Sequence, residues 1–106
     1  MVIGTPGGSR IITTVLQIIV NVIDYGMDIG AAIDAPRIHH QWRPDSLFYE
    51  RNGFPRSMQL QLRKRGYTTV QLTGEYGRAE GILVDQQRGI YEGATDRRGH
   101  GKALGY

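Results

Sequence analysis

Residues Gly4 to Gly26 read GTPGGSRIITTVLQIIVNVIDYG. A Thr-Pro-Gly-Gly turn leads directly into a long, nearly all-apolar run. Ser9 is placed to cap the helix that this run predicts, from about Ser9 to Tyr25, and Gly26 is placed to stop it. Arg10, Thr14, Gln17, Asn21 and Asp24 recur at steps of three and four and make one narrow polar stripe. The rest of the circumference is Ile, Val and Leu, so the helix is expected to be buried on most sides. Ten of the residues from Ile11 to Ile23 are β-branched, which lowers intrinsic helix propensity. The segment therefore needs a sheet or other helices around it, and that requirement decides the fold class.

Working outward, Met1–Gly4 reads as the end of a strand. A short helix is expected at about Asp28–Ile33, ended by Pro36. Arg37–Trp42 and Leu47–Glu50 read as strands around a turn at Pro44-Asp45. Pro55 opens a helix through about Arg65, with Met58, Leu60 and Leu62 facing inward and Gly66 as its stop. Thr68–Leu72 is a β-branched strand. Gly81–Asp85 and Gly89–Gly93 read as a hairpin about Gln86-Gln87-Arg88. The glycine-rich, basic tail from Asp96 to Tyr106 is expected to be irregular. The order lacks regular βα alternation, so the expectation is α+β, with helices layered on a mainly antiparallel sheet.

The 106 residues suit one domain, residues 1–106. Fifteen glycines are about twice the usual share of roughly 7% and have no period, so they read as turns and close approaches. Thirteen Lys and Arg against ten Asp and Glu leave a net charge of +3. The basic residues concentrate at Arg63-Lys64-Arg65 and Arg97–Lys102 without interleaved aromatics, which reads as solvated surface, not a nucleic-acid face. No cysteine is present, which excludes disulfides, zinc thiolates and a Cys nucleophile. The Ile11–Ile23 run is too short to span a bilayer.

The glycine turn carries the chemistry. The first turn of a helix leaves backbone N–H groups unpaired, and the helix dipole adds positive charge there. Glycine lacks the Cβ that would obstruct a ligand. Pro6-Gly7-Gly8-Ser9 before a helix can thus serve as an anion site, for a phosphate or for the oxyanion of an acyl-transfer intermediate, although on these residues alone a structural tight turn is the favoured reading. No G-x-G-x-x-G or Gly-Lys-Ser/Thr supports a phosphate. Hydroxyl nucleophiles to consider are Ser9, Thr13, Thr14, Ser46, Ser57, Thr68, Thr69, Thr73 and Thr95; none lies in a G-x-S-x-G elbow. His39, His40 and His100 are the only histidines. His39 and His40 alternate across a strand, which argues against a shared triad or a metal site with Asp45. One is expected to be packed and the other solvated. No metal or cofactor is called for.

Gly4-Thr5-Pro6-Gly7-Gly8-Ser9-Arg10-Ile11 resembles the G-[ST]-P-G-G-[ST]-R-I turn of γ-glutamyltransferases, also called glutathione hydrolases. The resemblance continues through Asn21–Gly26, Ala35-Pro36-Arg37-Ile38-His39-His40-Gln41-Trp42 and the terminal Gly105-Tyr106, and covers nearly the whole chain in order. It implies part of an N-terminal-nucleophile hydrolase, a four-layer αββα sandwich built from two subunits of one precursor. In that family the N-terminal threonine of the small subunit is both nucleophile and, through its free amine, base. It attacks the γ-glutamyl amide of glutathione-like donors, and the acyl group passes to water, an amino acid or a peptide. By motif match Gly7 and Gly8 are the oxyanion-hole pair.

The resemblance further implies that the chain is the C-terminal part of a small subunit, with the nucleophile and the substrate-binding residues lying upstream or on the large subunit. Alone it is expected to be inactive. Expected partners are the remainder of the small subunit, the large subunit and a small-molecule γ-glutamyl donor, with self-association through exposed apolar faces. The Ile11–Ile23 helix is the first such face to examine. A periplasmic or extracellular location is implied by the family alone. A stand-alone anion- or protein-binding module derived from the same fold is the alternative. Asp96-Arg97-Arg98 replaces a common Asp-Pro-Arg, and Glu80 stands where Gln is common; neither touches the turn.

Overall fold

The computed structural model describes residues 1–105; of the motif Gly105-Tyr106, Tyr106 lies outside the described residues. In chain order the elements are β1 (Val2–Gly4), α1 (Arg10–Ile23), α2 (Ile29–Asp34), β2 (Ile38–His39), β3 (Leu47–Tyr49), α3 (Arg56–Lys64), β4 (Thr69–Gln71), β5 (Glu80–Asp85) and β6 (Ile90–Thr95). They fall into two compact units. One is Met1–Ala35 together with the chain from Gly77 onward; the other is Pro36–Tyr76.

In the first unit, β5 pairs antiparallel with both β1 and β6, in the order β1-β5-β6. Period-2 alternation turns Ile3, Gly81, Leu83 and Ala94 toward the helices. There they meet a core of Ile18, Ile29, Ala32, Ile33 and Ala79. Gly81 lets the sheet approach α2 closely: a Cβ at that position would stand 3.0 Å from Ile33 Cδ1 and 3.2 Å from Ile29 Cδ1. α2 is capped at both ends. Asp28 Oδ1 accepts from the Ala31 N–H at 2.9 Å. At the other end the Arg98 guanidinium donates to the carbonyls of Ile33, Asp34 and Ala35 at 3.2, 3.4 and 3.1 Å. Arg98 is itself held by the buried Asp96, whose Oδ1 lies 3.1 Å from Nη1. Asp96 Oδ2 also accepts from the Ala79 N–H at 2.8 Å. In Asp96-Arg97-Arg98, the departure from the family pattern therefore falls on the exposed Arg97, between Asp96 and Arg98, whose side chains are enclosed and paired with each other. Beyond Thr95 the described tail has no helix or strand.

α1 corrects the sequence reading in three respects. Its period is right, but the polar stripe is not its solvent face. Its two buried residues are Thr14 and Ile18, and Asn21 Nδ2 donates to the Ala32 carbonyl at 3.4 Å, so part of the polar stripe faces α2 and the core. Ile12, Leu16 and Ile23 are 74%, 57% and 69% exposed; spaced at four and seven, they make an uncovered apolar stripe, so the helix is not buried on most sides. Ser9 makes no capping bond, because it already has helical dihedrals (φ −60°, ψ −21°) and a cap residue is normally extended. Thr14 Oγ1 is buried without a hydrogen-bond partner among the described residues.

In the second unit, β2 and β3 are antiparallel, while β3 and β4 are parallel, joined through α3. The sheets are thus mainly antiparallel with one parallel pair. α3 begins after Pro55, as expected, but buries no residue. Met58 and Leu60 are exposed, against the inward assignment, and only Leu62 and Gln59 are partly covered. A nine-residue helix resting on one three-residue strand has too little surface beneath it to cover three apolar side chains. Arg63 and Lys64 sit in its last turn, where the helix dipole favours cations.

The unit is closed by Glu50, which is 2% exposed. Its Oε2 accepts from the Arg37 N–H at 2.9 Å and its Oε1 from the Tyr76 N–H at 3.0 Å. The Arg37 guanidinium donates to the Tyr76 carbonyl at 2.7 Å. The residues at which the chain enters and leaves Pro36–Tyr76 are thereby joined around one carboxylate.

Candidate functional site

The turn before α1 has a backbone that only glycine adopts readily. Gly7 has φ +142° and Gly8 has φ +58°; side chains with a Cβ disfavour both values. Space is not the constraint, since a Cβ at Gly8 would meet nothing within 4 Å and one at Gly7 only Arg10 Cβ at 3.7 Å. The glycyl carbonyls start the helix: Arg10 N–H donates to the Gly7 carbonyl at 3.2 Å and Ile11 N–H to the Gly8 carbonyl at 3.1 Å. The N–H groups of Gly7, Gly8 and Ser9 donate to no described residue, and all three residues are exposed.

Peptide planarity turns those bonds into directions. The peptides of the turn are trans; the one cis bond among the described residues is Arg43-Pro44. Across a trans peptide the C=O and the following N–H point oppositely. With the Gly7 and Gly8 carbonyls facing the first turn of α1, the N–H groups of Gly8 and Ser9 face away from it. The turn is tied to the sheet as well. Thr5 Oγ1 donates to the Pro6 carbonyl at 3.0 Å and accepts from the Arg78 N–H at 3.1 Å. In the sequence Thr5 reads as part of the turn and of its motif; the Arg78 partner lies 73 positions away, and no local signal marks it.

His39, His40 and Thr14 lie in other surroundings. His39 is buried, with Nε2 2.9 Å from Gln41 Oε1, and its ring stacks on Phe48 at 6.5 Å between centroids. His40 is partly exposed and pairs with Asp45 at 3.0 Å. The packed histidine matches the expectation; His40 follows β2, which ends at His39, and is only partly exposed. Thr14 lies in the core beside α2, away from solvent. Among the described residues no cluster of three His, Cys, Asp or Glu is placed to hold a metal ion, and no helix is long and apolar enough to cross a membrane.

Comparison with known proteins bears on the chain as a whole. The family model described as Gamma-glutamyltranspeptidase matches residues 1–106. The Glutathione hydrolase proenzyme of Escherichia coli (strain K12) is 47% identical over 98 residues, which are 92% of this chain and 16% of that protein. Among solved structures, acivicin-inhibited gamma-glutamyltranspeptidase shares 48% identity with a TM-score of 0.81, over 92% of this chain and 52% of that one. The gamma-glutamyltranspeptidase from Pseudomonas nitroreducens complexed with L-DON shares 33% identity with a TM-score of 0.85, over 98% and 54%. The chain thus spans about half of those solved chains and under a fifth of that curated relative.

Proposed function

This chain belongs to the γ-glutamyltranspeptidase family, and we propose that its Pro6–Ser9 turn supplies oxyanion donors for γ-glutamyl transfer from glutathione-like donors to water, amino acids or peptides. The observation that carries the proposal is the pair of exposed, undonated N–H groups at Gly7 and Gly8, on a backbone held at positive φ just before a helix. When a nucleophile attacks an amide carbonyl, negative charge gathers on its oxygen. Donors already fixed at that position stabilise the tetrahedral species more than the planar ground state, which lowers the barrier. The helix dipole of α1 adds to the same potential.

The attacking group comes from the polypeptide that accompanies this chain in the active enzyme. Thr13 and Thr14 lie within α1 and have no free α-amine, so neither serves as an N-terminal nucleophile. We accordingly assign the chain a donor and scaffold role and expect no turnover from it alone. Its uncovered apolar stripe fits association with the remainder of a precursor, or with a second copy. The same stripe favours a second reading, a non-catalytic protein-binding module; an upstream reading frame that encodes no processing site would select it.

The test is Gly8→Val, with Gly7→Val beside it, in the full natural polypeptide. Open space around the new side chain means that relief comes from rotation of the backbone, which swings the N–H groups. Loss of one oxyanion donor lowers kcat by about 10²–10³, and KM is expected to stay within a few-fold. A loss confined to KM refutes the assignment.

A further inference from the structure

We infer that Thr5 is the residue that aims the Gly7 N–H, acting through the Pro6–Gly7 peptide plane; the inference rests on the oxyanion reading above. Proline fixes its own φ near −65°. The remaining freedom of that peptide plane is rotation about Pro6 ψ, which carries the Pro6 carbonyl and the Gly7 N–H together. Thr5 Oγ1 restrains this rotation by donating to the Pro6 carbonyl at 3.0 Å. A hydroxyl has one proton to give and two lone pairs, and Thr5 uses both functions, since it also accepts from the Arg78 N–H at 3.1 Å. Arg78 directly precedes Ala79, a core residue, and β5. The plane is therefore anchored to the sheet at a point 73 residues away. Because the peptide is trans, holding the carbonyl toward Thr5 turns the Gly7 N–H the opposite way. Thr5 acts in this assignment through the Gly7 amide, since its hydroxyl is engaged by the Pro6 carbonyl and the Arg78 N–H, so it is a positioning residue.

The experiment compares Thr5→Val, Thr5→Ala and Thr5→Ser with Gly8→Val in the full natural polypeptide, using a chromogenic γ-glutamyl anilide. Thr5→Val and Thr5→Ala are expected to lower kcat about three- to tenfold, the range of one net hydrogen bond, with KM within twofold. Thr5→Ser, which keeps the hydroxyl, recovers most of the loss. In NMR spectra the Gly7 and Arg78 amide resonances shift in Thr5→Val and not in Thr5→Ser. A wild-type kcat in both hydroxyl-free variants, or a loss seen only in KM, overturns the inference while Gly8→Val still reports on the oxyanion hole. An unchanged kcat in Gly8→Val removes the oxyanion reading instead. The Gly7 resonance then decides Thr5's hold on the plane: unshifted in Thr5→Val, it overturns that hold too.

Discussion

Replacing Glu50 tests the closure of the Pro36–Tyr76 unit most directly. Both of its carboxylate oxygens accept from buried backbone N–H groups, at Arg37 and at Tyr76. Hydrogen bonds to a charged partner contribute about 1.5–3 kcal/mol each, and a buried donor left unpaired costs about 1–3 kcal/mol. These are two views of one loss and do not add in full. Glu50→Ala is expected to destabilise the unit by about 3–5 kcal/mol, with some relief where water reaches the vacated space. Glu50→Gln keeps one oxygen to accept and turns an NH₂ toward the other donor, so about half of that loss is expected. Urea unfolding gives the total, and amide hydrogen exchange locates it. Exchange at Arg37 and Tyr76 should accelerate in both variants, together with the rest of residues 36–76. A loss below about 1 kcal/mol in Glu50→Ala, with both amides still protected, would show that the chain ends are held by other contacts.

Three further outcomes follow from the packing and the site. Thr14→Val keeps the side-chain shape and removes a buried hydroxyl without a partner, so stability is expected to be unchanged or to rise by about 1 kcal/mol; a loss beyond about 1 kcal/mol in thermal unfolding refutes this. Gly81→Val pushes into Ile29 and Ile33 and is expected to cost about 1–3 kcal/mol, whereas Gly4→Val, with nothing within 4 Å, is expected to stay within about 0.5 kcal/mol; equal values from chemical denaturation would refute the close approach. The purified 106-residue chain is expected to release no chromophore from a γ-glutamyl anilide; turnover above the buffer blank would refute the donor-and-scaffold role.

Much of the fold was legible where local chemistry governs. The Pro-Gly-Gly turn, the start of α3 after Pro55 and the β5–β6 hairpin each follow from residues within a few positions of one another. The positive φ of Gly7 and Gly8 follows from the turn composition; a donor role does not, because a structural tight turn uses the same residues, and the family resemblance alone supplied that expectation. Orientation was harder to read. The polar stripe of α1 was found by its period, but a period does not say which face meets the core. Asn21 turns inward because α2 presents the Ala32 carbonyl to it; Thr14 lies on the same face and finds no partner there. Met58 and Leu60 looked like core residues, yet β4 is too short to cover them. Glu50 and Thr5 were the least legible. They make bonds spanning 13, 26 and 73 positions, and nothing beside either residue in the sequence announces those distant partners.

The outward stripe of α1 makes the meaning of a substitution depend on company. With Ile12, Leu16 and Ile23 bare, glutamate or lysine at these sites should improve the solubility of the chain in isolation. Where a larger assembly seats that helix, the same changes would place a charge in a closed seam and do harm. A mutational survey of the lone chain would then rank them as gains and a survey of the assembly as lesions. A reversal of sign at these three sites, and not at the solvated tip of the β5–β6 hairpin, would map the buried seam without any structure of the assembly.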